Sequence, residues 1–204
     1  MTTIIVSYDG TAADRDALAL GRMLAAAGAS FELAYVSHLH EPEPDSPTDV
    51  PFHVVDNPST ATGLRELAIA RGAQMIVFGS EYRTAPGHVD PQATAKRLLD
   101  GGPVALGLAP AGFAERNGYE PGTIAAISED GDPCARETAE SLARALGTEV
   151  SPGPSRDAGV LVVGSKASAV TGRVTVSAAA EYLIELATCP VIVLPRGVAV
   201  EFGS

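Results

Sequence analysis

The sequence predicts an α/β fold built from two Rossmann-like modules in tandem, each a doubly wound parallel sheet and the second one truncated. Short β-branched runs alternate with segments of helical period along the 204 residues, an order typical of parallel sheets covered by helices. Several landmarks of the first half recur in the second. The composition, 46% hydrophobic and 19% charged, is sufficient for a packed core. We therefore expect a complete module over residues 1–116 and a truncated module over 117–204.

The first predicted module begins with the β-branched run Ile4–Val6, which ends at the turn Asp9-Gly10. Apolar residues at helical spacing then indicate a helix, opened by Thr11 and Asp14 as a capping box and closed by Gly28. The later elements follow the same periodicities. Strands are predicted at 31–36, 52–55, 75–78 and 104–108, helices at 64–71 and 93–99, and a solvated acidic loop at 41–51.

The second predicted module follows a polar linker at Gly118–Gly122. Its first strand runs into Asp130-Gly131, after which Asp132 is suited to the N-cap and Pro133 to the first position of a helix. The pattern then repeats that of the first half. The predicted elements are strands at 124–127, 160–163 and 191–194 and helices at 135–146 and 178–186.

The internal repeat has two offsets. Asp9-Gly10 recurs as Asp130-Gly131, 121 residues later, whereas Gly79-Ser80 recurs as Gly164-Ser165, 85 residues later. The final proline of each half, Pro110 and Pro195, keeps the offset of 85. The difference, 121 − 85 = 36 residues, predicts that the second module lacks the acidic loop, the short third strand and the helix at 64–71.

Charge and cysteine content restrict the partners and the compartment. The chain has 14 basic and 25 acidic residues, a net charge of −11, so nucleic acid and anionic membranes are not expected partners. The two cysteines, Cys134 and Cys189, have no metal or redox spacing and are expected to be reduced thiols. The N-terminus reads as a strand and no apolar run approaches a membrane span, so we expect a soluble, cytoplasmic protein.

Three segments carry a resemblance to a known family: Ile5–Thr11, Met75–Ser80 and Cys189–Pro195. They resemble the universal stress protein family in its tandem, two-module form. The resemblance implies a strand order of 3-2-1-4-5 in each module. It also implies pairing of the two modules through their last strands, 104–108 against 191–194, with a homodimer as a further option. Many members bind ATP through the Asp after the first strand and a loop of the form G-x2-G-x9-G-(S/T).

In this chain the loop pattern is largely lost. Only the first glycine is kept in each half, as Gly79 and Gly164. The other three positions hold Tyr82, Gln92 and Ala93 in the first half and Ala167, Ser177 and Ala178 in the second. We expect the Tyr82 side chain to occupy space that a phosphate would need, and no lysine near either loop. ATP binding is therefore expected to be lost, and no cofactor is predicted.

The functional prediction is a non-enzymatic stress-response protein that acts through binding or assembly. The alternative is an adenine-nucleotide-binding regulator that keeps a site in the first module, with slow ATP hydrolysis as an option. An adenylate-chemistry enzyme would need a pyrophosphate loop after the first strand, which Asp9–Ala12 does not supply. No Ser-His-Asp, Cys-His or paired-carboxylate arrangement is evident. The candidate nucleotide-binding residues are Asp9, Gly10, Val36, Gly79, Ser80, Gly87, Asp130, Gly164, Ser165 and Ser177.

Each candidate also has an interpretation that needs no ligand. Asp9 and Asp130 could be turn acids that stabilise the following helices. Glycine at a strand-to-loop turn, as at Gly79 and Gly164, requires no phosphate. His38 and His40 lie near several acids, but in a proline-broken loop without fixed geometry, so no metal site is predicted.

Overall fold

Strands and helices alternate along the chain in the computed structural model. The structure describes residues 1–38, 43–45, 49–116, 119–129, 131–153 and 158–203. The N-terminal half contains β1 (Thr3–Ser7), α1 (Ala12–Ala26), β2 (Ser30–Ser37), β3 (Phe52–Asp56), α2 (Thr60–Arg71), β4 (Met75–Phe78), α3 (Ala93–Leu99), β5 (Ala105–Leu108) and a 3-10 turn (Phe113–Glu115). The C-terminal half contains β6 (Thr123–Ile127), α4 (Cys134–Leu146), β7 (Glu149–Val150), β8 (Val160–Val163), α5 (Ala178–Leu186) and β9 (Val191–Val193).

Within the described residues, nine strands form one sheet in the order β3-β2-β1-β4-β5-β9-β8-β6-β7. All neighbouring strands are parallel except β5 and β9, which are antiparallel, with Leu106 opposite Val193 and Leu108 opposite Val191. The α/β class and the largely parallel sheet are as predicted. The strand before Pro110, β5, lies beside the strand before Pro195, β9.

The two sides of the β5–β9 junction differ in size. Outward from the junction the order is β5-β4-β1-β2-β3 on one side and β9-β8-β6-β7 on the other. Between α4 and β8 the described residues contain only the two-residue strand β7, which the sequence did not predict. The smaller side therefore has a short counterpart of β2, and its described residues supply no counterpart of β3 or α2.

Two helix starts differ from the predicted ones. Helix α2 begins at Thr60 and not at 64, because the Ser59 side chain caps it by accepting the N–H of Thr62 at 3.4 Å. Helix α4 begins at Cys134, with Pro133 at the N-cap position. The Asp132 carboxylate accepts the Cys134 N–H at 3.1 Å, so the predicted capping interaction is present although the helix is assigned to begin one residue after Pro133.

Helices cover both faces of the sheet, and each face has one core that extends across both halves. One face packs under α1 and α4, where Leu20 and Leu142 belong to the same cluster. The opposite face packs under α2, α3 and α5, with Leu64 and Ile184 in one cluster. No helix in the described ranges is long and apolar enough to cross a membrane.

Candidate functional site

The first candidate site lies at the carboxyl ends of β1 and β4, which are neighbouring parallel strands. Asp9 and Gly10 follow β1, and Gly79 and Ser80 follow β4. In open α/β sheets, ligands bind outside this edge of the strands. The residues that the sequence singled out in the first half therefore share the appropriate edge of the sheet.

Asp14, in the first turn of α1, adds a second carboxylate beside Asp9 at the β1–α1 turn. Its carboxylate accepts hydrogen bonds from the backbone N–H groups of Asp9 at 3.0 Å and Thr11 at 2.5 Å. Burial raises the pKa of Asp14; the nearby Asp9 adds to the rise, and the N–H donors oppose it. Two N–H groups of this turn, those of Asp9 and Thr11, are thus occupied by a carboxylate of the chain itself.

Gly10 lies beneath a segment of the acidic loop. Its φ is +73°, and a Cβ at this position would lie 2.7 Å from the Cβ of Pro44. The Tyr8 hydroxyl donates a hydrogen bond to the carbonyl oxygen of Asp45 at 3.1 Å. Segment 43–45 therefore packs over the end of β1, and both the backbone conformation and the available space require glycine at position 10.

Three further candidates have packing or turn roles. A Cβ on Gly79 would lie 2.2 Å from the carbonyl oxygen of Ala13, so glycine allows β4 to end directly against the start of α1. Val36 is buried in the core of β2. Gly87 has a φ of +88° and donates its N–H to the carbonyl oxygen of Ala111 at 2.7 Å. Each of these arrangements is complete without a ligand.

Ser80 is buried, and its hydroxyl is bound to the surrounding backbone. It donates to the carbonyl oxygen of Ala109 at 2.8 Å and accepts the N–H of Asp90 at 3.2 Å. A hydroxyl has one proton to donate. Donation to a phosphate would therefore leave the buried Ala109 carbonyl without this partner, which is energetically unfavourable.

Ser165 repeats the contacts of Ser80 in the second half. Its hydroxyl donates to the carbonyl oxygen of Leu194 at 2.7 Å and accepts the N–H of Thr175 at 3.0 Å. The serine, the acceptor and the donor are each displaced by 85 residues from their counterparts. The predicted offset of 85 thus corresponds to an equivalence of individual hydrogen bonds.

The turns behind the two serines match as well. Gly87 donates to Ala111 at 2.7 Å, and Gly172 donates to Arg196 at 2.8 Å, again with an offset of 85 residues. Both glycines have a positive φ. The loops after β4 and β8 are therefore closed by the same set of internal bonds.

Ser177 connects the start of α5 to the residues after β6. Its hydroxyl accepts the N–H of Ala180 at 3.2 Å as a helix cap and donates to the carboxylate of Glu129. A carboxylate consequently lies at the helix start, where it would repel a phosphate. At Gly164 the nearest atom to an added Cβ would be 3.5 Å away, so this position has room for a side chain. Asp130 lies outside the described residues.

Two expectations about the loops are wrong. Tyr82 is 82% exposed, so its ring extends into solvent and does not fill the loop. Lysines also lie near both loops. The Lys96 ammonium is 3.0 Å from the Asp90 carboxylate, and Lys166 is part of the second loop, where its N–H donates to the carbonyl of Thr175. Lys96 is distant from Gly79 in the sequence, and helix α3 places it beside the loop in the folded chain.

The histidines form no metal cluster in the part of the chain that the structure describes. No group of three or more His, Cys, Asp or Glu side chains is arranged there to hold a metal ion. His38 contacts the hydroxyl of Thr60 at 2.9 Å. His40 and Glu41, which belonged to the considered cluster, lie outside the described residues.

Sequence reasoning missed the role of two carboxylates at this edge of the sheet. Asp14 is recognisable only as a capping residue, and Glu129 only as an acid after a strand. The available signal was position, since each follows a predicted strand within a few residues and precedes or faces a helix start. The bond from the Thr11 N–H to Asp14 is the predicted capping box. The Asp9 N–H as a second partner of Asp14, and Ser177 as the partner of Glu129, become visible only in three dimensions.

No protein-family model matches the sequence, and no curated protein matches it. Solved structures do match. A candidate universal stress protein from Pseudomonas aeruginosa UCBPP-PA14 aligns with a TM-score of 0.67 and 15% identity, covering 97% of this chain and 94% of that one. A universal stress protein from Archaeoglobus fulgidus DSM 4304 aligns with a TM-score of 0.65 and 11% identity, covering 96% and 98%.

A third similar structure is a functionally unknown protein from Pseudomonas aeruginosa PAO1, with a TM-score of 0.63 and 16% identity over 97% of this chain and 93% of that one. At these identities the likeness concerns the fold. The chain has the Rossmann-like α/β fold of universal stress protein structures, as the three short segments of its sequence indicated.

Proposed function

We propose that this chain is a universal stress protein whose two modules pair with each other, and that it acts through binding or assembly without ATP chemistry. The fold supports the family, and the β5–β9 junction supports pairing of a complete module with a truncated one. Action without catalysis follows from the proposed loss of the nucleotide site. A homodimer of the whole chain and a cytoplasmic location belong to the same proposal.

The observation that carries the proposal is the internal closure of both loops. In the resembling family these loops hold phosphates, yet here Ser80 and Ser165 donate to buried backbone carbonyls and accept backbone N–H groups. A triphosphate would also need close approach to the loop backbone, which the replaced glycine positions no longer favour. The matched bonds indicate that the two serines have the same structural role in both halves of the chain.

Electrostatics support the same conclusion. The chain's own carboxylates lie beside two helix starts, Asp14 at α1 and Glu129 at α5. ATP carries several negative charges, so its phosphates would meet like charge at both positions. The Lys96 ammonium lies 3.0 Å from the Asp90 carboxylate, which offsets part of its positive charge at the first loop.

Isothermal titration calorimetry with ATP and Mg²⁺ on the full chain tests the proposal, with a thermal-shift measurement of ATP, ADP and AMP as an independent readout. We expect no saturable heat at micromolar ATP and no shift in Tm. A low-micromolar or tighter affinity would contradict the proposal and support the nucleotide-binding regulator. In that case Asp9→Ala should weaken binding more than Asp130→Ala.

A further inference from the structure

A groove of about 1040 Å³ lies on the sheet face that carries α1 and α4. Its walls come from the exposed side of α1, from residues 113–116 and 119–122 between β5 and β6, and from the end of α4 at 146–148. Both halves of the chain therefore contribute to it. The groove runs along the outer side of α1 from Arg15 to Ala26, whereas Asp9, Gly10, Gly79 and Ser80 lie at the carboxyl ends of β1 and β4.

The groove collects positive charge on an otherwise acidic protein. Arg15, Arg22 and Arg116 line it, against the single acid Glu120, whereas the whole chain has a net charge of −11. Three of the twelve arginines thus cluster on one surface, which the sequence did not reveal. A local excess of positive charge in a concave surface attracts anions.

The three guanidinium groups differ in how firmly they are held. Arg116 is anchored, since it donates to the carbonyl oxygen of Thr188 at 2.9 Å and lies 6.0 Å from the ring centroid of Tyr119. Arg22 makes only a long contact of 3.8 Å with Asp49, and both side chains are mostly exposed, so the pair is weak. Arg15 is exposed and has no ion-pair partner among the described residues. Arg15 and Arg22 are therefore available to a ligand.

The remaining lining is largely apolar. Leu18 and Met23 contribute from α1, Leu146 from the end of α4, and Phe113 from the residues after β5. Phe113 is buried in the core. Its ring packs edge-on against Tyr119, with centroids 4.9 Å apart, and so supports the Tyr119 ring next to Arg116. An apolar surface with a few convergent polar groups is the usual composition of a small-molecule site.

We propose that this groove binds an amphipathic organic anion. The carboxylate or equivalent oxyanion would lie against Arg15 and Arg22, and the apolar chain or ring would lie along the partly buried Leu18, Met23 and Leu146. Guanidinium groups bind carboxylates through two parallel hydrogen bonds. An inorganic anion would leave the apolar surface unused, and an extended polyanion would be repelled by the acidic remainder of the chain. The inference does not depend on the fate of the nucleotide site.

The test uses 1-anilinonaphthalene-8-sulfonate, an aromatic sulfonate, as a fluorescent probe on the full chain. We expect saturable binding that dodecanoate reverses, whereas inorganic phosphate at the same ionic strength does not. Arg15→Gln should weaken the probe and dodecanoate by about fivefold or more, because one charge-assisted contact is lost. Arg65→Gln, an exposed arginine on α2 across the sheet, is the matched control and should leave both affinities unchanged.

A second variant, Leu18→Glu, tests the apolar wall by placing a carboxylate in the groove, and should also reduce binding. Circular dichroism melting of each variant confirms that it is folded as the parent is. If phosphate displaced the probe as effectively as dodecanoate does, the proposal of an amphipathic ligand would be overturned. The proposed location would be overturned if Arg15→Gln bound the probe as tightly as the parent does. It would also be overturned if Arg65→Gln weakened probe binding as much as Arg15→Gln.

Discussion

Arg71 holds the carboxylate of Glu32 with two hydrogen bonds, of 2.6 and 2.9 Å. The bonds connect the end of α2 to β2, and His53 on β3 contacts the same carboxylate at 2.8 Å. The hydrogen bonds from Arg71, and then that from His53, lower the pKa of Glu32 below its ordinary value of 4.5, although partial burial opposes the shift. The pair therefore couples stability to pH.

We predict that Arg71→Gln lowers the free energy of unfolding at pH 7 and that the difference from the parent shrinks in acid. A depressed carboxyl pKa stabilises the folded state above the ordinary value of 4.5, and this contribution is lost as the pH falls through the folded-state pKa. Urea unfolding of both proteins between pH 7 and pH 3 measures the difference in their free energies of unfolding. Arg65→Gln serves as the control, and a difference that stays constant with pH would contradict the assignment.

The glycines after β4 and β8 should respond differently to the same substitution. In Gly79→Ala the new Cβ would lie 2.2 Å from the Ala13 carbonyl oxygen, whereas in Gly164→Ala the nearest atom would be 3.5 Å away. We expect Gly79→Ala to cost about 1–3 kcal/mol through overpacking and Gly164→Ala to stay within about 0.5 kcal/mol. Urea unfolding compares them. Equal losses would show that the glycines share a role unrelated to this contact.

The serines, in contrast, should behave alike. Ser80→Ala and Ser165→Ala each remove a buried hydroxyl that links a carbonyl to an N–H group. We expect each to lower the free energy of unfolding by about 1–3 kcal/mol, because buried polar groups lose a partner. The exposed Ser128→Ala is the matched control and should change stability by less than about 0.5 kcal/mol. Losses as small as the control would show that the internal bonds do not hold the loops closed.

The C-terminal half should not fold alone. It is short, and its buried residues Ile124, Val160 and Ile192 belong to the same core cluster as Ile4 and others of the N-terminal half. We predict that fragment 118–204 is unfolded or aggregated, whereas fragment 1–116 keeps some structure. Circular dichroism of the two fragments measures their secondary structure, and size-exclusion chromatography measures their aggregation. A soluble, cooperatively melting monomer of 118–204 would contradict the expectation.

Elements with strong periodicity could be predicted from the sequence, and α5 even to its exact ends at Ala178 and Leu186. Elements that depend on distant partners could not. The strand β7 has only two residues and exists because Thr123 and Ile124 of β6 pair with it. The first turn of α2 lacks apolar periodicity and depends on the Ser59 cap.

The candidate site shows the same limit. The repeated landmarks led to Gly79, Ser80, Gly164 and Ser165, but their roles depend on partners many residues away, such as Ala109 for Ser80. The side-chain direction of Tyr82 and the return of Lys96 to the loop likewise follow from the tertiary structure. The arginine groove combines residues from three separate parts of the chain, which no local pattern indicates.

The antiparallel pairing of β5 with β9 has a consequence for biosynthesis. Leu106 leaves the ribosome well before its partner Val193, since roughly 85 residues separate the paired strands and translation proceeds at about 5–20 residues per second. The growing chain therefore carries an unpaired apolar edge strand for about 4–17 seconds. During this interval the free edge of β5 is open to pairing with other chains, and it closes only when β9 has been made.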